Sequence, residues 1–191
     1  MIAGWGKHVS WDAEIKDHYK RRWRSDASVC ELNAGPVSEL PPGFSVLKYC
    51  PSAERSMWTY ATCCMSQPSD ASPIELHMFS PLETKEVVEL LYVTAHYHRT
   101  GARLDLGHTV NFGRPWLLGA TASYGLVSRP YVDGPGLEYV QIGEKWARCL
   151  WLIPITRDEV EFKKLKGLET LERKFEEAGL DYLARRRDSV V

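Results

Sequence analysis

The sequence predicts one α+β domain with a mixed, mostly antiparallel central sheet flanked by helices. Three observations carry that prediction. Two segments, 80–99 and 156–178, place apolar residues at helical spacing behind capping signatures. Shorter segments alternate with a period of two, as half-covered strands do. One run, Cys149-Leu150-Trp151-Leu152-Ile153, is continuously apolar, as expected of a central strand covered on both faces. Strands grouped around one long helix, rather than regular βαβ alternation, indicate the α+β class. The 191 residues suit one domain spanning 1–191, with a helix and loop over 1–44. A chain of this length buries roughly 70% of its unfolded surface and needs no metal or disulfide staple.

Each element has its own signal. Ser10 is placed to cap a helix whose Trp11, Ile15, Tyr19 and Trp23 form one stripe, read as core packing or as a partner-docking face. Phe44–Cys50 and Leu137–Ile142 are weak strands. Met57–Cys63 alternates, as do Ile74, Leu76 and Met78 with Glu75 and His77, which predicts a half-exposed strand between Pro73 and Pro81. Ser80-Pro81-Leu82-Glu83 combines a capping box with proline at the first helical position. Val87, Val88, Leu91 and Ala95 then supply a buried face, and Gly101 a stop. Thr156-Arg157-Asp158-Glu159 is a second capping box, followed by Val160, Phe162, Leu165, Leu168, Leu171 and Phe175. Gly167 interrupts that region and Gly179 ends it, and Glu159–Lys163 and Glu169–Arg173 are spaced as i,i+4 ion pairs. Turn residues dominate Asn33–Gly43 and Arg129–Gly136. There is no internal repeat, low-complexity segment or interdomain linker.

Charge and cysteine content narrow the function. Twenty-four Lys and Arg stand against 25 Asp and Glu, a net charge of −1. A dedicated binder of nucleic acid or anionic membrane needs a positive surplus. Five cysteines without CxxC spacing fit neither a disulfide framework nor a zinc cage and read as free thiols in a reducing compartment. The adjacent Cys63 and Cys64 would face opposite ways in a strand. No stretch approaches the ~20 apolar residues of a membrane span, and the first residues lack the apolar core of a signal peptide. A cytoplasmic protein without membrane contact is expected.

Catalytic patterns fail. There is no glycine-rich phosphate loop. Thr121-Ala122-Ser123-Tyr124-Gly125 lacks the first glycine of a nucleophile elbow. His96 and His98 diverge on a helix, where zinc ligands need i,i+4 spacing. His108, after Gly107, invites a role as general base, but no partner is assignable, and a loop-ordering hydrogen bond is the better reading. No cofactor, metal or catalytic residue is expected. The basic clusters Lys20–Arg22, Lys163–Lys166 and Arg185–Arg187 read as solvated surface, although Lys20–Arg24 beside Tyr19 and Trp23 leaves RNA binding as an alternative.

The C-terminal third carries a resemblance. The run from Leu150 through Pro154-Ile155 to Glu159, followed by Gly167-Leu168 and a leucine-spaced helix, resembles the suppressor-of-fused family. So do the strand from Trp58 into Met65-Ser66, the strand Ile74–Met78, the element Gly107-His108-Thr109 and the ending Arg187-Asp188-Ser189-Val190. Cys64 stands where the family has a glycine. Gly107, His108, Pro154 and Glu159 are expected to be structural residues. The resemblance implies a protein-binding module without chemistry of its own. Animal members carry a further domain and restrain a transcription factor in Hedgehog signalling. This chain is expected to follow the single-domain bacterial members, which are commonly encoded beside toxin genes and thought to act as immunity proteins. The expected partner is therefore a toxin encoded nearby, with general sequestration of a protein partner as the alternative. Trp116 and Tyr131, aromatic residues in Gly- and Pro-rich loops, are the candidate anchors, unless both pack on their own core.

Overall fold

In the computed structural model, residues 11–32, 35 and 37–191 are described. Ser10, the expected cap of the first helix, lies outside them, as do Asn33, Ala34 and Pro36 of the Asn33–Gly43 loop. The sheet is organised by its longest strand, β8 (Lys145–Ile155), which contains the continuous apolar run. On one side β8 runs parallel to β4 (Ile74–Ser80), with His77 opposite Trp151. On the other it runs antiparallel to β7 (Tyr139–Ile142) along its first half and β6 (Tyr124–Ser128) along its second. β1 (Ser28–Cys30), β2 (Ser45–Tyr49) and β3 (Trp58–Cys63) extend the β4 edge, and β5 (Thr109–Asn111) completes the far edge, in the order β1-β2-β3-β4-β8-β6-β5. Every described pairing except β4–β8 is antiparallel. The mixed, mostly antiparallel sheet is the one predicted.

Helices cover both faces. α2 (Lys85–Thr100) lies over one, packing Val87, Leu91 and Ala95 against Leu76, Met78, Leu150 and Leu152. On the other, α1 (Trp11–Trp23) buries Ile15, Tyr19 and Trp23 over Leu47, Ala61 and Cys149, with the single turn α3 (Pro135–Glu138) beside it. The aromatic stripe is therefore core. α4 (Arg157–Lys166) and α5 (Leu168–Ala178) cover the rest of this face, setting Val160, Leu171 and Phe175 against Phe79, Trp151 and Ile153. No helix among the described residues is long and apolar enough to cross a membrane.

Several local expectations change. β4 is buried along its whole length rather than half-exposed, because helices close both faces; Glu75 and His77 are sealed inside. α2 starts later than Ser80 predicts. Ser80 still pairs with Trp58 in the sheet, and Thr84 caps the helix by accepting a hydrogen bond from the Glu86 amide at 3.0 Å. Leu137 belongs to α3, so the strand after it begins at Tyr139. Gly167, at φ +87°, divides the C-terminal helical region; the break shifts the phase and leaves Leu165 exposed rather than buried. Cys63 and Cys64 do not diverge: their Sγ atoms lie 4.0 Å apart, because Cys64 leaves the strand at φ +64°. That left-handed conformation is one glycine adopts freely, which agrees with the glycine the resemblance puts there. The failed nucleophile elbow leads into β6, where Gly125 lets Phe112 and Leu152 close in. A Cβ there would lie 2.6 Å from one ring and 2.7 Å from the other side chain.

Candidate functional site

The buried residues of the α1 face fall into two clusters, one under α1 and one under α4 and α5. Beside the second, α5, the 128–132 segment, β8 and the 179–182 tail enclose an open cavity of about 780 Å³. Trp151, Ile153, Phe175, Leu180 and Tyr182 give it an apolar lining. Its rim carries Glu169, Glu172 and Glu176, which the helical repeat of α5 sets on one side, together with Arg129 and Arg173. Tyr131, 53% exposed, and Val132 stand on the rim. The Tyr131 hydroxyl donates to Glu172 Oε2 at 3.1 Å, while Ser128 Oγ donates to Oε1 at 2.6 Å, so one carboxylate ties the loop to the helix.

The same loop is anchored from beneath. Asp133 Oδ1 accepts from Trp23 Nε1 at 3.0 Å and pairs with Arg55 Nη1. Arg55 also donates to Thr59 Oγ1 at 3.1 Å, and its guanidinium lies over the rings of Trp23 and Phe79 at 5.3 and 5.4 Å. Burial pushes the Asp133 carboxyl above the usual aspartate range, against the opposing pull of Arg55. His77 Nε2 lies 3.7 Å from Asp133 Oδ2, but burial, reinforced by the Arg55 charge, lowers the imidazole to about 3, so it is neutral at physiological pH.

That neutral histidine has a measurable consequence. The unfolded chain takes up a proton on His77 near 6.5 and the folded one only near 3, so acidification favours unfolding. His98, lowered to about 4 by burial, acts in the same direction. Between pH 7 and pH 5 His77 alone is expected to remove about 2 kcal/mol of stability. Urea titrations at both pH values check this. His77→Phe should flatten the pH slope, and a slope unchanged in that variant would refute the assignment.

The predicted site residues scatter. Tyr131 reaches the cavity. Trp116 does not: it is 1% exposed and packed in the α2-side core. A hydrogen bond from its amide to the Ala122 carbonyl at 3.0 Å closes the loop with the indole inside, so it cannot be a surface anchor. Gly107, at φ +79°, donates to the Val127 carbonyl at 2.8 Å, and a Cβ there would press Leu168 at 3.3 Å. His108 is exposed; its Nδ1 accepts from the Asp105 amide at 3.3 Å and its carbonyl accepts from Val127 at 2.9 Å. Pro154 is buried opposite Gly125. Glu159 is buried and, beyond its capping box, pairs with Arg187 instead of Lys163. Arg173 pairs with Glu177 at 3.8 Å rather than with Glu169.

Two surface features were missed. Tyr139 and Trp146 stand half-exposed on the β7–β8 hairpin, where strand alternation put them outside, and the Arg148 guanidinium lies 5.7 Å above the Tyr139 ring. The carboxylates of α5 were also missed as a group, although Glu169, Glu172 and Glu176 follow i, i+3, i+7 spacing. The basic patch of α1 loses the features that suggested RNA. Lys20 pairs with Asp26 at 2.6 Å and Arg21 with Asp17 at 2.9 Å, while Tyr19 and Trp23 are buried and cannot stack on bases.

Comparisons with known proteins bear on this architecture as a whole. No curated protein was found to match in sequence. Among solved structures, a protein described as a suppressor of fused homolog of Neisseria gonorrhoeae FA 1090 superposes with a TM-score of 0.83 at 32% identity, over 95% of this chain and 97% of that one. The Sufu-Fu complex superposes at 0.70 with 14% identity, over 95% and 93%. Drosophila Suppressor of Fused superposes at 0.70 with 13% identity, over 97% of this chain and 52% of that one. The last two likenesses concern the fold alone. The sequence model of the family described as Suppressor of fused protein matches residues 41–188, from the approach to β2 through the Arg187 tail. With the fold of the gonococcal protein reproduced at that identity, this chain belongs to the suppressor of fused family.

Proposed function

We propose that this protein works by stoichiometric binding of another protein, with no chemistry of its own, and that the partner is a toxin encoded nearby which it neutralises as an immunity protein. The observation that carries the binding reading is the cavity beside α5, with an aromatic lining and an exposed Tyr131 at its rim. Binding energy concentrates in such large anchors set next to pockets. A protein of the same fold is known in a Sufu-Fu complex, which supports a protein partner. The toxin assignment follows from the resemblance to bacterial members. Neutralisation through a cell generation calls for slow dissociation and affinity near 1 nM, ~−12 kcal/mol.

Co-expression with the adjacent gene product tests both parts. Growth rescue and co-purification as a stoichiometric complex are expected. Tyr131→Ala should weaken the complex by about 2 kcal/mol, roughly thirtyfold, without changing the circular dichroism spectrum. If neighbouring products are harmless alone and no complex forms, the immunity reading fails and general sequestration of another protein takes its place.

A further inference from the structure

We infer that the cavity between α5 and the 128–132 segment receives an extended basic segment of the partner, with an apolar side chain seated on the Trp151–Phe175 lining and a flanking Lys or Arg set against Glu169 and Glu176. The inference rests on the protein-binding reading above, but not on the partner being a toxin. Size comes first: about 780 Å³ falls within the ~300–1,000 Å³ of pockets that bury a ligand, room for large side chains rather than a single ion. Aromatic and aliphatic side chains floor it, so what enters must be largely apolar.

Charge then selects among apolar occupants. Three carboxylates line the α5 side of the rim against two arginines. Arg173 is engaged by Glu177, and Glu172 is held by the hydroxyls of Ser128 and Tyr131. Glu169 and Glu176 are exposed and, among the described residues, have no cation within ion-pair distance. An apolar-lined cavity beside two carboxylates without an ion-pair partner among the described residues fits a cationic amphipathic segment. It repels phosphate backbones and anionic lipid. Trp151, 5% exposed, forms part of the wall, and its Nε1 has no acceptor within the protein. A buried donor left open is costly, and a main-chain carbonyl of an inserted segment would satisfy it.

The test uses the full chain and three short fluorescein-labelled peptides. One alternates Lys with Phe and Leu, the second replaces Lys by Glu, and the third replaces Phe and Leu by Ser. Fluorescence anisotropy should show binding of the first, little of the third and none of the second, with affinity falling as salt rises. The double variant Glu169→Lys/Glu176→Lys should weaken the first peptide by about tenfold or more, whereas Trp146→Ala on the distant hairpin should not. Both glutamates are exposed, and an unchanged melting temperature confirms that the double variant folds. Equal binding of the acidic peptide, or full affinity in the double variant, overturns the proposal. So does sedimentation showing a dimer of the wild type that the double variant loses, which would make the occupant a second copy. If a cognate protein found by co-expression binds the double variant as tightly as the wild type, the binding reading stands and the cavity assignment falls. Basic peptides that bind with no toxin nearby leave the binding reading and the cavity assignment standing, and only the immunity reading falls.

Discussion

Arg187→Ala is expected to cost about 3–5 kcal/mol of stability, the largest effect of any single truncation in the C-terminal region. Arg187 reaches back from the tail to Glu159, whose carboxylate is fully buried. Nη2 lies 2.7 Å from Oε2, and Nη1 engages Oε1, so the pair is bidentate. Nη2 also donates to the Pro154 carbonyl at 3.2 Å. The same carboxylate accepts from the Thr156 amide at 2.8 Å and the Val190 amide at 3.2 Å, joining the start of α4 to the chain end. Removing the guanidinium leaves a buried anion with two amide donors and no counter-charge. Most of the cost is that desolvated charge, not the worth of the contact. The paired variant Glu159→Gln/Arg187→Met should therefore be more stable than Arg187→Ala. Urea denaturation with an unchanged m-value measures both. A loss below about 1 kcal/mol for Arg187→Ala would show that the pair is solvated in practice.

Glu75→Ala is expected to cost a similar ~3–5 kcal/mol at the opposite end of the sheet. The Glu75 carboxylate lies inside β4 and holds the turn that follows β3. Thr62 Oγ1 donates to Oε2 at 2.5 Å and the Met65 amide at 3.3 Å. The Ser66 amide donates to Oε1 at 2.9 Å, and the Ser66 hydroxyl donates to the same oxygen. Burial raises the Glu75 carboxyl above the usual glutamate range, while these four donors pull it back. Alanine would leave the donors without an acceptor and loosen the turn in which Cys64 takes its left-handed backbone. Glu75→Gln keeps one acceptor oxygen and should lie between the two. Hydrogen exchange at Met65 and Ser66 locates the damage: these amides should lose protection first. If they keep it while the rest of the sheet loosens, Glu75 supports packing rather than the turn.

These residues divide what is legible in the chain from what is not. The Thr156/Glu159 capping box, the break at Gly167 and the central position of Cys149–Ile153 are readable because their causes lie within a few residues of one another. A capping box needs two side chains and two amides within four residues, and a strand covered on both faces declares itself by losing its polar positions. The alternation in β4 has the same clarity and misleads, because period two records which residues share a face, not whether a distant helix covers it. α1 and α5 seal the face that carries Glu75 and His77, and those polar groups persist inside because hydrogen bonds or a neutral state make burial tolerable.

The candidate site shows the same boundary. Trp116 and Tyr131 stand in similar Gly- and Pro-rich surroundings, and no local rule separates the indole that turns inward from the phenol that turns outward. A backbone bond to Ala122 decides the first, and Glu172 on a helix forty-one positions along decides the second. The cavity is formed where the 128–132 segment, β8 and the α5 tail converge. By itself the sequence determined the family, the fold class, the start of α4 and the glycine stops at Gly101, Gly167 and Gly179, whose signals are short-range. Tertiary structure decided which polar groups are sealed in and which aromatics reach solvent, because burial depends on chain segments far from the residue they cover.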